Sequence, residues 1–206
     1  MGSGVNGFDP VELLCRARAG EGAALGALLE GYRAYLTLLA RLQIDGRLRG
    51  KADPADIVQE TFLEVHRSFP RFRGSTEGEL TGWLRQVLAS NLVDLVRRFL
   101  GAQRRDVRLE RALVLGLDRS SEALGRVPAA PQSTPSQQAA RREQGVLLAE
   151  ALARLPEAYR EVLILHHLEG LGHADVARRM GRTVDSVKNL WARALGKLRH
   201  SLGTDS

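Results

Sequence analysis

The sequence predicts an all-α fold built as two small helical domains joined by a flexible linker. Three observations carry that expectation. Apolar residues recur at three- and four-residue steps, and no alternating run of strand type appears. A stretch rich in Ser, Gln, Ala and Pro, Asp118 to Gln138, interrupts the periodicity. Residues 171–200 then carry helix-turn-helix spacing: with His173 first, Ala177 is fifth, Gly181 ninth and Val187 fifteenth. Steeply crossing helices leave room only for a small side chain at the crossing, which Ala177 supplies. The turn needs a residue that tolerates positive φ, and Gly181 does so at least cost. Val187 then seals the second helix onto the first. The expected division is a disordered N-terminus over 1–10, a first domain over 11–100, a linker over 101–139 and a second domain over 140–203.

In chain order, a first helix starts near Val11, with Val11, Leu14, Cys15 and Arg18 on one stripe. Cys15 reads as a small core residue. A second helix over about Ala23–Gln43 is apolar enough to centre a bundle, through Leu25, Leu28, Leu29, Tyr32, Tyr35, Leu36, Leu39 and Leu42. Residues 45–51 read as a loop. A third helix follows, with Asp53 as N-cap and Pro54 at the first helical position, where its missing N–H does no harm.

At about 100° per residue, Asp56 at zero puts Glu60 near 40°, Glu64 near 80° and Gln59 near 300°, whereas Val58, Phe62, Val65 and Phe69 fall at roughly 180–240°. One face packs inward and the other is an acidic ridge. That ridge is either a solvated face or a docking surface for a basic protein. Pro70–Leu80 reads as a loop in which Arg71, Phe72 and Arg73 combine charge with a π face, a weak signature of single-stranded nucleic acid. The next helix, from about Thr81 to Phe99, carries Trp83, Val87, Leu88, Leu92, Leu95 and Val96 inward and Arg85, Arg97 and Arg98 outward. Asn91 is unusual inside a helix, where its side chain competes for backbone groups. It is a candidate for a specific contact, beside the plainer reading of a satisfied surface Asn. Helicity is expected to persist to about Leu115, and helices from about Ala140 to Arg154 and from Pro156 to Leu168 lead into the helix-turn-helix.

Net charge is +6 over 206 residues, which favours a polyanionic partner. The excess is local. Residues 171–200 hold seven Lys and Arg (Arg178, Arg179, Arg182, Lys188, Arg193, Lys197, Arg199) against Asp175 and Asp185. A basic second helix with Thr183 as N-cap suits the DNA major groove. With one cysteine, no disulfide or cysteine-based metal site can form within one chain. No apolar run reaches the roughly 20 residues of a membrane helix, and Met1–Pro10 lacks a signal-peptide pattern. The expectation is a cytoplasmic protein without membrane insertion.

Catalytic signals are missing from the sequence. Gly196-Lys197 lacks the rest of a phosphate-binding loop. His166, His167 and His173 have no matching carboxylates at ligand spacing and read as structural. No metal, cofactor or catalytic residue is expected. A nucleic-acid-processing enzyme is the weakest of three readings, behind a promoter-recognition factor and a DNA-binding regulator with a sensor domain. The acidic ridge separates the last two.

Taken together, the motifs resemble a bacterial RNA polymerase sigma factor of the extracytoplasmic-function (ECF) group of the sigma-70 family. Asp53-Pro-Ala-Asp-Ile-Val-Gln-Glu-Thr-Phe62 and Gly82 to Arg98 resemble the family's region 2. Leu155-Pro-Glu, and Asp175-Val-Ala through Val187-Lys-Asn, resemble region 4. The resemblance implies a factor that binds core RNA polymerase, recognises −35 and −10 promoter elements and promotes transcription initiation. It implies docking on the polymerase's largest subunit by Asp56, Gln59, Glu60 and Glu64. It places Phe72, Arg73, Asn91, Arg97 and Arg98 on single-stranded DNA of the −10 element, where a base flips into a pocket of the 69–80 loop. For the −35 element it implies Arg178, Arg182, Thr183, Ser186, Lys188, Asn189 and Arg193. Core RNA polymerase and promoter DNA are the implied partners, with an anti-sigma protein as a further one. Two departures leave the bases read open: His173 stands where members often carry a Ser or Thr cap, and Leu190 follows Asn189 where they often carry Arg.

Overall fold

A computed structural model describes residues 9–44, 52–100, 107–125 and 135–203. Among them there is no strand, and no helix is long and apolar enough to cross a membrane. The expected loop at 45–51 and all but the last two residues of the expected disordered N-terminus lie outside the described residues.

Helix α1 (Pro10–Arg18) starts within that expected disordered stretch, because Asp9 caps it by accepting from Val11 N and Glu12 N. Leu14 and Ala17 are buried, whereas Val11 and Cys15 are exposed. The expectation of a core cysteine is therefore wrong. The inward stripe passes through Leu14 and Ala17, and Cys15 stands one residue outside it. Helix α2 (Gly22–Ile44) is the centre of the bundle. It buries Leu28, Tyr32, Leu36, Leu39 and Ala40 completely. Each large side chain among them contributes about 1.5–3 kcal/mol through removal of apolar surface from water.

Helix α3 (Pro54–Ser68) packs Ile57, Val58, Thr61, Phe62 and Val65 inward. A 3-10 turn (Phe69–Arg71) ends it. Helix α4 (Glu77–Leu100) begins four residues before its expected start. A capping box explains this. Glu79 Oε2 accepts from Ser75 N and Thr76 N, and Thr76 Oγ1 accepts from Glu79 N. Hydrogen bonds from Ser75 N, then from the Thr76 hydroxyl and Thr76 N, hold the Glu79 carboxyl below its usual range.

The stretch Asp118 to Gln138, expected to be a linker with little regular structure, differs most, because the helicity expected to about Leu115 runs on through Gly125. Residues 107–125 form helix α5 (Val107–Gly125), which buries Leu113, Leu117 and Leu124. The polar residues that gave it linker composition are its docking contacts. Asp118 pairs with Arg85 at 3.1 Å, the Tyr35 hydroxyl donates to Ser121 Oγ at 2.7 Å, and Gln43 donates to Ser120 Oγ at 3.3 Å. Helix α6 (Pro135–Arg154) also begins earlier than expected. It packs on α5 and α2, and Arg41 of α2 pairs with Glu161 in the next helix.

Helix α7 (Glu157–Leu163) passes into a π-turn (Ile164–Leu168) that Gly170 closes at φ +72°. Helices α8 (His173–Met180) and α9 (Val184–Gly203) complete the chain.

Candidate nucleic-acid interface

The α8–α9 pair is a helix-turn-helix. Gly181 caps α8 in the left-handed region, at φ 62° and ψ 37°. Its flank closes with Arg182 N donating to Ala177 O at 2.9 Å, the 6→1 bond of a helix C-cap. Val176, Ala177 and Val187 are buried at the crossing. Thr183 caps α9, its Oγ1 accepting from Ser186 N at 3.2 Å. The cap of α8 falls on Gly172, which offers no side chain, and His173 is the first helical residue. The missing cap side chain thus belongs to Gly172 and not to His173.

Arg178, Arg182, Thr183, Lys188, Asn189 and Arg193 are exposed, and Ser186 is half-buried. Arg178 pairs with Asp175, and Lys188 Nζ lies 3.9 Å from Asp185. Arg193 makes no side-chain hydrogen bond or ion pair among the described residues. On the α9 wheel, Lys188 flanks the outward face on one side, with Asn189 and Arg193 roughly 100–140° away on the other. Leu190 is half-buried and packs against the core.

The α3 face has the expected polarity. Asp56, Gln59, Glu60 and Glu64 are exposed, opposite buried Val58, Phe62 and Val65. Gln59 accepts from Arg33 at 3.5 Å, and Glu64 lies 3.9 Å from Arg67. Glu60 lies 3.7 Å from Arg98, so α3 and α4 bring an acidic-ridge residue against a −10 candidate. Leu63, 51% exposed, stands in the middle of this acidic face. Sequence reasoning missed it, although the same wheel places it near 340°, between Gln59 and Asp56.

The −10 candidates are more committed. Phe72 is half-buried and stacks on Trp83 at 4.6 Å with 19° between ring planes. Its ring tip lies so close to Gly74 that a Cβ there would come within 2.3 Å. Arg73 donates to Pro70 O at 3.0 Å. Asn91 Nδ2 donates to the buried Thr61 Oγ1 at 3.1 Å, and that hydroxyl donates onward to Ile57 O at 2.7 Å. Arg97 pairs with Asp94 at 3.1 Å, while its Nε and Nη2 are buried with no hydrogen-bond partner among the described residues. No cluster of His, Cys, Asp and Glu fit for a metal occurs among the described residues.

Two family descriptions match the chain: sigma-70 region 2 over residues 31–100 and sigma-70 region 4 over residues 146–198. Similar curated proteins are ECF RNA polymerase sigma factors. SigE of Mycolicibacterium smegmatis is 30% identical over 91% of this chain and 66% of its own length. SigM of Mycobacterium tuberculosis is 26% identical over 93% of this chain and 84% of its own. SigL of the same species is 30% identical over 90% and 93%. With region 2 on the bundle that carries the acidic face and region 4 on the helix-turn-helix, the chain belongs to the ECF group of RNA polymerase sigma factors, which recognise promoters for transcription initiation.

Proposed function

We propose that this chain brings core RNA polymerase to promoters through two surfaces, one on the α3 face of the bundle and one on the helix-turn-helix. The observation that supports this is the pairing of an exposed acidic face on α3 with an exposed basic reading helix on the same chain. The face formed by Asp56, Gln59, Glu60 and Glu64, with Leu63 as an apolar contact at its centre, docks on a basic surface of the core enzyme. On α9, Lys188, Asn189 and Arg193 read bases of the −35 element. Arg178, Arg182, Thr183 and Ser186 at the turn hold phosphates, which position the helix without specifying sequence. Arg73, Arg97 and Arg98 hold the single strand of the −10 element, while Asn91 and Phe72 shape that site from within. The chain supplies recognition and no catalytic group, and it works where the polymerase works, in the cytoplasm.

Run-off transcription with purified core polymerase on a promoter library tests the reading. Adding the chain should select templates that share two sequence blocks near −35 and −10. Templates chosen no differently from core polymerase alone would refute it. Glu60→Lys should weaken capture of the core enzyme in a pull-down while the chain stays folded. Unchanged capture would remove the docking assignment from α3.

A further inference from the structure

Three histidines surround the one tryptophan of the reading helix. The π-turn carries His166 and His167, α8 begins with His173, and α9 supplies Trp191. Ring centroids lie 5.7, 6.0 and 5.5 Å from Trp191 for His166, His167 and His173, and His166 lies 4.4 Å from His173. The protonation pattern follows from the partners. A carbonyl can only accept, so His166 donates from Nδ1 to Leu171 O at 2.7 Å. An indole N–H can only donate, so His167 Nε2 accepts from Trp191 Nε1 at 3.0 Å and carries no proton. His173 Nε2 is buried with no hydrogen-bond partner among the described residues. The His167–Trp191 bond ties the π-turn to α9 between Asn189 and Arg193.

We propose that His167 is a positioning residue for −35 recognition, acting through Trp191, and that proton uptake by the imidazole cluster unseats the reading helix. This rests on the assignment of α9 to the −35 element. A proton on His167 Nε2 turns its acceptor into a second donor facing the indole N–H. A proton on His173 places a cation beside His166 and near Lys188. Charged groups on the packed elements include Lys188 and Asp185 on α9, the Asp175–Arg178 pair on α8, Glu161 of α7 with Arg41, and the Glu169–Arg179 pair at 2.8 Å between the π-turn and α8. Each of these carboxylates already faces a basic side chain: Glu169 faces Arg179, Asp175 faces Arg178, Asp185 faces Lys188 and Glu161 faces Arg41.

Burial, then the neighbouring histidines, holds His167 below its ordinary value of 6.5; burial, His166 and Lys188 do the same for His173. The unfolded joint therefore binds more protons than the folded one. Stability is full above the ordinary value and falls as pH drops through the folded one. An imidazolium would also attract DNA phosphate, but salt screens an exposed charge within about 8 Å, whereas loss of the bond acts on the seat of α9 itself.

The test uses holoenzyme assembled from core polymerase and the full chain, on a promoter selected by run-off transcription. Promoter affinity should fall as pH drops below 6.5, by about fivefold in full, the loss expected for one hydrogen bond. His167→Gln keeps an acceptor for Trp191 but takes no proton, so it should flatten that dependence. His173→Gln should flatten it in part. A DNA-free readout accompanies this, the indole N–H resonance of Trp191 in 15N-labelled chain, assigned with Trp191→Phe. It should titrate below 6.5 in the natural chain and hold still in His167→Gln. An indole signal that titrates identically in both chains overturns the latch. An indole that titrates as expected, with pH dependence indifferent to changes in the −35 bases, retains the latch and overturns the assignment of α9.

Discussion

The two modules hold their candidate DNA contacts in different states. In the helix-turn-helix, Arg182, Asn189 and Arg193 are exposed and their side chains carry no hydrogen bond or ion pair among the described residues. In the bundle, Phe72 stacks on Trp83, Asn91 bonds Thr61, Arg97 pairs with Asp94 and Arg98 faces Glu60. The difference fits the two DNA targets proposed for these surfaces. A duplex groove exists before the protein arrives, so a reading helix can wait with Asn189 and Arg193 free, while Arg178 and Lys188 pair only within one helical turn, with Asp175 and Asp185. A melted strand exists only after bases are extruded at a cost of a few kcal/mol. On the proposed assignment, contacts to it form during opening, and until then Asn91, Arg98 and one Arg97 nitrogen have partners within the bundle.

The largest test of that contrast removes the preformed helix pair. Val187 is completely buried at the α8–α9 crossing. Val187→Asp puts an unpaired carboxylate there and should destabilise the C-terminal module by about 3–5 kcal/mol. Circular dichroism should show loss of α8 and α9 while core-polymerase capture persists. Loss of both together would mean that the modules fold as one unit. Next in size is Arg193→Ala. With no side-chain hydrogen bond or ion pair among the described residues to lose, it should leave the melting temperature unchanged and weaken promoter binding by about 1–3 kcal/mol if the guanidinium grips a base by two bonds. Titration against −35 variants checks this. An equal loss on every sequence would move Arg193 to the phosphates.

Local chemistry made much of this legible in the sequence. The caps at Asp53 and Thr183, the left-handed Gly181 and the two-faced α3 depend on residues within four positions of one another. What stayed hidden depends on partners far along the chain. Asp118 and Ser121 look like linker residues until Arg85 and Tyr35, 33 and 86 positions away, are seen to receive them. Asn91 looks free until Thr61 appears beneath it, 30 positions back. His167 looks unremarkable until Trp191 folds over it. Leu63 is the opposite case, since the wheel already placed it among the acids and only attention to charge passed it by.

Asn91 gives the smallest expected effect and the most direct break of the contrast. Its side chain closes a chain of two bonds, Asn91 to Thr61 and Thr61 to Ile57 O, at the α3–α4 contact. Removing it by Asn91→Ala leaves the Thr61 oxygen without a donor, and Thr61 is completely buried. The loss should be about 1 kcal/mol of stability, read as a shift in urea midpoint with unchanged slope. Promoter opening, followed by permanganate reactivity of unpaired thymines, should fall by about fivefold or less, in step with that loss. Asn91→Ser, whose hydroxyl is too short to reach Thr61, should behave as Asn91→Ala does. A different outcome would redraw the comparison. If opening collapses while the urea midpoint stays put, Asn91 must leave Thr61 to grip the melted strand, and the bundle would then hold a preformed contact in reserve. If both stay put, the Thr61 hydroxyl finds another donor, and the polar joint between α3 and α4 is tolerant where the α8–α9 crossing is not.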